Sequence, residues 1–317
     1  MTGEIKREIQ FVNPPVFPPY LAVPAADLGK NTPVKIRVLG DMPSVGRDLA
    51  EALRQEIVAA NQAGEGGTFI IPVGPVDQYP LLASMLNEAR ISCRNTVFIG
   101  MDEYLDESGD WLPESHPLSF RGYLNRMFYD RLDPKLAPPP GNRVFPDPHS
   151  LRSVPKVIAA RGGVDACFGG IGITAHIAFN EPPGPGEKVS LKAFANLPTR
   201  VLTLSRETRT INSVTVGGEI SIIPHRAVTV GMKEILGARR LRLYCNRPWQ
   251  SAVVRRVLHG PIGPACPASL IRNHPDATLS VADYVAALPE IKLRRTRGDH
   301  ENQFLRRTCP RGRGTPG

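Results

Sequence analysis

Three stretches of the chain place residues that can move protons or hold anions directly behind apolar runs. The most informative is 167–183, CFGGIGITAHIAFNEPP. Here Gly169, Gly170 and Gly172 precede His176, and Asn180 and Glu181 follow it. Glycines let a backbone approach a ligand closely. A histidine oriented by a nearby carboxylate shuttles protons near neutral pH. The second stretch is 98–105, FIGMDEYL, with Asp102 just behind an apolar run. A carboxylate held near apolar walls is raised in pKa and suits the removal of a proton next to a carbonyl. Taken alone, Asp102 reads more simply as a cap for the next element, with Glu103 solvated. The third stretch is 70–80, IIPVGPVDQYP, a strand entering a glycine-bearing turn before a helix. Such turns offer N–H groups to anions. It has neither G-x-G-x-x-G nor G-x-x-x-x-G-K-[ST], so nucleotide binding is poorly supported.

The elements that must position these stretches alternate in type. Runs at 34–39, 68–73, 96–100, 165–168, 201–204, 227–230 and 241–244 read as strands. Between them, Val45, Leu49, Leu53 and Ile57 form a four-spaced helical stripe with Ser44 as candidate N-cap. Residues 80–89 read as helical, Phe120, Leu124, Met127, Phe128 and Leu132 mark a longer helix, and Val253, Val254, Val257 and Leu258 mark another. Alternation with short glycine-bearing loops indicates an α/β fold: a doubly wound, mostly parallel sheet with helices on both faces. Its open-sheet geometry puts ligands beyond the carboxyl ends of the strands, where all three stretches fall. The expected layout is a Pro-rich arm over 1–30, one domain over 31–290 and a basic tail over 291–317, which has no apolar period.

Composition narrows the function classes. The chain has 317 residues with 41 % hydrophobic content, enough for a sizeable core. No apolar run approaches the roughly 18–20 residues of a membrane span. Prolines 14, 15, 18 and 19 interrupt what a secretory signal would need. Five widely spaced cysteines without a CxxC pair fit a reducing cytoplasm better than a disulfide or zinc framework. Of the net charge of +9, the segment 291–317 carries +6, so the domain itself is nearly balanced. Few aromatics and no recognition motif argue against nucleic acid.

The three stretches, in this order and spacing, resemble the glucosamine-6-phosphate deaminase/isomerase family and its relatives, the 6-phosphogluconolactonases. MDEY (101–104), HPLSFRGYL (116–124) and HIAFNEP (176–182) look like the deaminase branch. TLSRETRTINS (203–213), AVTVGMKEIL (227–236) and IRNHPDATL (271–279) resemble its later segments. The resemblance spans roughly 31–285. It implies a Rossmann-like fold and aldose–ketose isomerisation with loss of ammonia, without metal or cofactor, on a sugar or sugar-phosphate partner. Self-association stays open. Carried over, Asp102 takes the C2 proton of the opened amino sugar and returns it at C1, His176 assists ring opening, and Glu181 holds and polarises His176.

The departures from the family pattern bear on the substrate. The family's aspartate and glycine before the histidine are Thr174 and Ala175 here, so one acid partner is missing and His176 should be less basic. In place of a T-G-S-T-P-type phosphate loop stand Val73, Gly74, Pro75, Val76 and Asp77, which lose hydroxyls and an N–H and add a repelling carboxylate. The family's arginine after the N-S pair corresponds to Val214 and its later lysine to Gln250. Arg247, Arg255 or Arg256 would have to substitute. The expected substrate-facing set is therefore Gly74, Pro75, Val76, Gly170, Gly172, Thr174, Ala175, Asn180 and Gln250. The leading expectation is an amino-sugar deaminase/isomerase with an altered or non-phosphorylated substrate. A sugar lactonase and a catalytically weak sugar-binding relative are the alternatives.

Overall fold

A computed structural model describes residues 17–74 and 78–289. The strands are β1 (Lys35–Leu39), β2 (Thr68–Ile71), β3 (Val97–Gly100), β4 (Asp102–Leu105), β5 (Arg143–Val144), β6 (Ala166–Gly170), β7 (Arg200–Thr203), β8 (Arg226–Thr229), β9 (Arg240–Cys245) and β10 (Ala277–Ala282). The α-helices are α1 (Met42–Gln62), α2 (Gln78–Glu88), α3 (Phe120–Met127), α4 (Ser153–Ala160), α5 (Leu191–Ala195), α6 (Arg206–Ser213), α7 (Met232–Leu236), α8 (Gln250–His259) and α9 (Asp283–Ala286).

Seven strands form one sheet in the order β1-β10-β9-β6-β2-β3-β5, and every neighbouring pair is parallel. All four residues of β2 and of β3 are buried, as central parallel strands covered on both faces require. The α1 stripe of Val45, Leu49, Leu53 and Ile57 is fully buried against this sheet. The cap of α1 is Asp41 rather than Ser44. Its extended backbone lets the carboxylate accept from Ser44 N at 2.8 Å, one turn in. The helix expected across 120–132 stops at Met127, and a 3₁₀ turn, Tyr129–Arg131, follows. Phe128 and Tyr129 both pack on Phe98, with centroids 5.3 and 6.0 Å away. Adjacent helical residues point about 100° apart, so burying both rings on one partner breaks the helix.

The strands at 201–204 and 227–230 do form, but in a second, antiparallel sheet of order β4-β8-β7. The chain changes sheets at Met101. Its N–H donates to Ile71 O of the large sheet (3.0 Å), and its carbonyl accepts from Val230 N beside the small one (2.7 Å). A single residue between β3 and β4 leaves no room for a crossover, so β4 cannot rejoin the parallel array.

The described part of the arm is docked on α8. It makes two 3₁₀ turns, Pro19–Ala22 and Ala25–Asp27; Arg255 Nε donates to Val23 O (2.8 Å), and Gly29 N donates to His259 Nε2 (3.2 Å). The basic tail expected over 291–317 lies outside the described residues, as do residues 1–16. Among the described residues, no helix is long and apolar enough to cross a membrane.

Candidate active site

The strand order reverses between β6 and β2. On one side the chain proceeds outward through β2, β3 and β5, and on the other through β6, β9 and β10. Such a reversal opens a crevice at the carboxyl ends of the central strands. The loop after β2 (Pro72, Val73, Gly74), the start of β4 after β3 (Asp102), and the turn after β6 (171–176) all leave the sheet at this edge. Gly74 is exposed, and a side chain added there would meet nothing within 4 Å. Pro75 and Val76, with Asp77, lie outside the described residues.

Asp102 is only 9 % exposed. Burial, and after it the negative charge of Glu103, raise its carboxyl to about 8. The strand alternation of β4 sends Glu103 to the opposite face, where it is completely buried rather than solvated. Its carboxylate accepts from Ser119 Oγ (2.9 Å), Phe120 N (3.0 Å), Arg121 N (2.9 Å) and Tyr104 N (2.9 Å). Two of those donors are free N–H groups of the first turn of α3, which a carboxylate satisfies well. Tyr104, on the Asp102 face, accepts at its hydroxyl from Asn212 Nδ2 of α6 (2.8 Å).

The turn after β6 is built around His176. Gly172 N donates to His176 O and Ala175 N to Gly172 O, both at 2.9 Å. The imidazole lies against the Gly172 backbone so closely that a Cβ there would stand 1.9 Å from Nε2. Gly172 is thus required by sterics, whereas a Cβ on Gly170 would meet nothing nearer than 3.6 Å. Ala175 closes the turn at φ +63°, in the left-handed region that a glycine would occupy without strain. Thr174 Oγ1 lies 2.8 Å from His176 Nδ1. With a hydroxyl as that partner and 7 % exposure, burial dominates and lowers His176 to about 4. The imidazole is therefore neutral at pH 7.

Glu181 does not take the position expected of it. Its Oε2 accepts from Ser205 N, the N-cap of α6, at 2.9 Å, and its Oε1 is buried without a hydrogen-bond partner. Among the described residues, no hydrogen bond joins it to His176. Asn180 and Gln250 are brought to the site edge, but their amides are already engaged. Asn180 Nδ2 donates to Ile177 O (3.0 Å) and Val230 O (2.9 Å), while its Oδ1 accepts from Arg200 Nη1 (2.6 Å). Gln250 Nε2 donates to Ile171 O (2.8 Å), and its Oε1 accepts from Arg247 N (2.7 Å). Gln250 thereby pins the glycine turn to the start of α8. Of the expected substitute cations, Arg255 is completely buried, donating to carbonyls of Val23, Ser251, Val285 and Ala286. Arg256 donates to Ala265 O (2.7 Å), and Arg247, just before α8, has its Nη1 3.7 Å from Met42 Sδ. A cavity of about 330 Å³ opens beside the turn, lined by Ile173, Arg206, Glu207, Thr210 and Ile211.

Residues missed from the sequence are the ones that lock the loops together: Glu103, Ser205, Arg200, and Thr229, whose Oγ1 accepts from Phe179 N (3.1 Å). Glu103 was legible in principle, since alternation along DEYL puts it opposite Asp102 on a buried strand. Arg200 and Thr229 depend on pairing across the small sheet, and Ser205 on a loop that meets it from 24 residues away, which no local pattern announces.

No family model matches the chain. A glucosamine-6-phosphate deaminase of Streptomyces avermitilis is 30 % identical over 271 residues, covering 82 % of this chain and 94 % of that protein. The chain belongs to the glucosamine-6-phosphate deaminase family. The deaminase of Caenorhabditis elegans is 28 % identical over 254 residues, covering 77 % and 88 %. Among solved structures, a monomeric glucosamine-6-phosphate deaminase superposes with a TM-score of 0.69 at 24 % identity, covering 80 % of this chain and all of that one. The 6-phosphogluconolactonase of Trypanosoma cruzi superposes at 0.57 with 16 % identity, covering 80 % and 96 %. The α/β architecture with its mostly parallel sheet is the one these structures share.

Proposed function

We propose that this family member is an enzyme that isomerises an amino sugar from aldose to ketose with release of ammonia, and that its substrate differs from glucosamine 6-phosphate in the group distal to the reacting carbons. The observation carrying the first half is Asp102: a nearly buried carboxyl where the chain leaves β3, one strand from the switch point of the sheet, poised at about 8. In its ionised form, a base of that strength can take a C2 proton from an opened amino sugar and return it at C1. Water then converts the C2 imine to a ketone and ammonia. His176, neutral and held by Thr174, moves the proton of ring opening through Nε2. The contacts of Glu181 support a different role from the one the family resemblance implies: through Ser205 it sets the start of α6 rather than the charge of His176.

The second half rests on the missing cations. Val214 is two-thirds exposed, the Gln250 amide is fully engaged, and Arg255 is spent on carbonyls. Charge-assisted bonds of roughly 1.5–3 kcal/mol each are thereby removed from the phosphate grip. The test is ammonia release from glucosamine 6-phosphate and from unphosphorylated amino sugars, for the wild type and Asp102→Asn. Turnover of an unphosphorylated sugar that vanishes in Asp102→Asn supports both halves. Efficient turnover of glucosamine 6-phosphate overturns the substrate half, and an active Asp102→Asn overturns the base. The lactonase reading is favoured by one observation, the neutral imidazole, which would activate water without Asp102; an Asp102→Asn variant that still hydrolyses a sugar lactone would establish it.

A further inference from the structure

Among the described residues, Glu103 is the most heavily hydrogen-bonded buried carboxylate, and the chemistry above leaves it unused. It sits one residue from Asp102 with no solvent exposure, and its four hydrogen-bond donors come from the cap of α3, from its first two residues and from β4 itself. Arg121 Nε stands 3.5 Å from its Oε2 and is a buried N–H without a hydrogen bond, so the cation compensates the charge only in part. β4 is a four-residue strand at the edge of a three-stranded sheet, joined to the large sheet through Met101 alone. It is paired on one edge only, with β8, and its other edge has no strand partner in that sheet. The Glu103 carboxylate supplies an anchor from the side facing away from the site.

We propose that Glu103 is a positioning residue for Asp102: it ties the strand that carries Asp102 to the first turn of α3 and keeps a fixed, buried negative charge beside it. The inference rests on Asp102 being the base. The groups that face this pair are Tyr104 and Glu103 on β4, Tyr79 of α2, and Arg121 of α3, whose Nη1 also lies 3.4 Å from Glu114. Among these, Glu103 is the negative charge that opposes ionisation of Asp102.

The experiment is a carboxyl carbon NMR titration of Asp102 in the wild type and in Glu103→Gln, paired with ammonia release by Glu103→Asp from glucosamine 6-phosphate or glucosamine, whichever is turned over. Glu103→Gln removes the charge, and the Asp102 midpoint is expected to drop by roughly one pH unit or more. Glu103→Asp keeps the charge but withdraws it from the α3 donors. It is expected to lose about tenfold in kcat with KM little changed and the acid limb of the pH profile unmoved. An unchanged midpoint in Glu103→Gln overturns the proposal. If that variant does not fold, wild-type kcat in Glu103→Asp overturns it instead. The NMR readout follows Asp102 itself, not turnover, so its failure is distinct from an active Asp102→Asn, which would overturn only the assignment of the base.

Discussion

Replacing Asp102 by Asn should leave the protein increasingly more stable than the wild type as the pH rises, while abolishing its chemistry. The wild-type carboxyl is raised from 3.8 in a free chain to about 8 by burial and by Glu103. Between those limits the unfolded chain has given up its proton and the folded one has kept it. Each pH unit then costs the native state about 1.4 kcal/mol, and the loss levels off above the folded midpoint. Asn is close in shape and cannot ionise, so this slope is absent from the variant. The stability difference, variant minus wild type, is expected to widen by up to about 4 kcal/mol from pH 5 to pH 8.5. Urea unfolding followed through Trp111 and Trp249 at pH 5, 6.5 and 8.5 measures it, provided the m-values stay equal. A constant offset between the two proteins reflects only packing and hydrogen bonding of the amide; the pH-dependent part isolates the carboxyl. A difference that stays flat to within about 1 kcal/mol would refute the buried, raised Asp102 and the base strength that depends on it.

Four other perturbations have defined outcomes. Ala175→Gly relieves a left-handed φ of +63° and should stabilise by about 1 kcal/mol in chemical unfolding, with turnover kept. Gly172→Ala puts a methyl 1.9 Å from His176 Nε2, and should displace the imidazole and eliminate activity even if the protein folds. Thr174→Asp places a carboxylate at Nδ1 and should raise the His176 midpoint by roughly two pH units in a histidine NMR titration. It should also narrow the window, from 6.5 down to about 4, in which the wild type loses stability on acidification because the unfolded imidazole protonates first. Arg255→Met should cost about 3 kcal/mol, because carbonyls of Val23, Val285 and Ala286 lose their donor at once; a thermal shift of less than a degree would contradict that.

Much of the architecture was legible because it is periodic. The α1 stripe, the apolar runs of β2 and β3, and the glycines before His176 each report a local constraint that sequence spacing expresses directly. The placement of Asp102 at a strand end was equally local. What was not legible depended on which neighbour a group meets across the chain. Nothing in HIAFNEP distinguishes a Glu181 that faces His176 from one that accepts from Ser205 N, 24 residues on. Likewise, Gln250 reads as a replaced substrate ligand until the fold shows both ends of its amide consumed by Ile171 and Arg247. The second sheet was hidden for a related reason: strands 201–204 and 227–230 have the composition of sheet members, but only the one-residue step at Met101 decides which sheet they join.

These hidden contacts bear on what the site can accept. At pH 7 the two groups proposed to move protons are both largely uncharged, Asp102 because its carboxyl lies at about 8 and His176 because its imidazole lies at about 4. A phosphate dianion entering beside them would have to be stabilised by cations of the protein, since burial removes the help of water. Three arginines are spent elsewhere, Arg200 on Asn180, Arg255 on four carbonyls and Arg256 on Ala265, while Arg247 reaches Met42 Sδ at 3.7 Å and Arg206 lines the cavity. The cavity beside the glycine turn offers one cation, Arg206, together with the carboxylate of Glu207 and the hydroxyl of Thr210. Gln250, in the place of the family's lysine, ties the glycine turn to the start of α8 through Ile171 O and Arg247 N. The unphosphorylated substrate proposed above rests on these engagements, and efficient ammonia release from glucosamine 6-phosphate is the result that would overturn it.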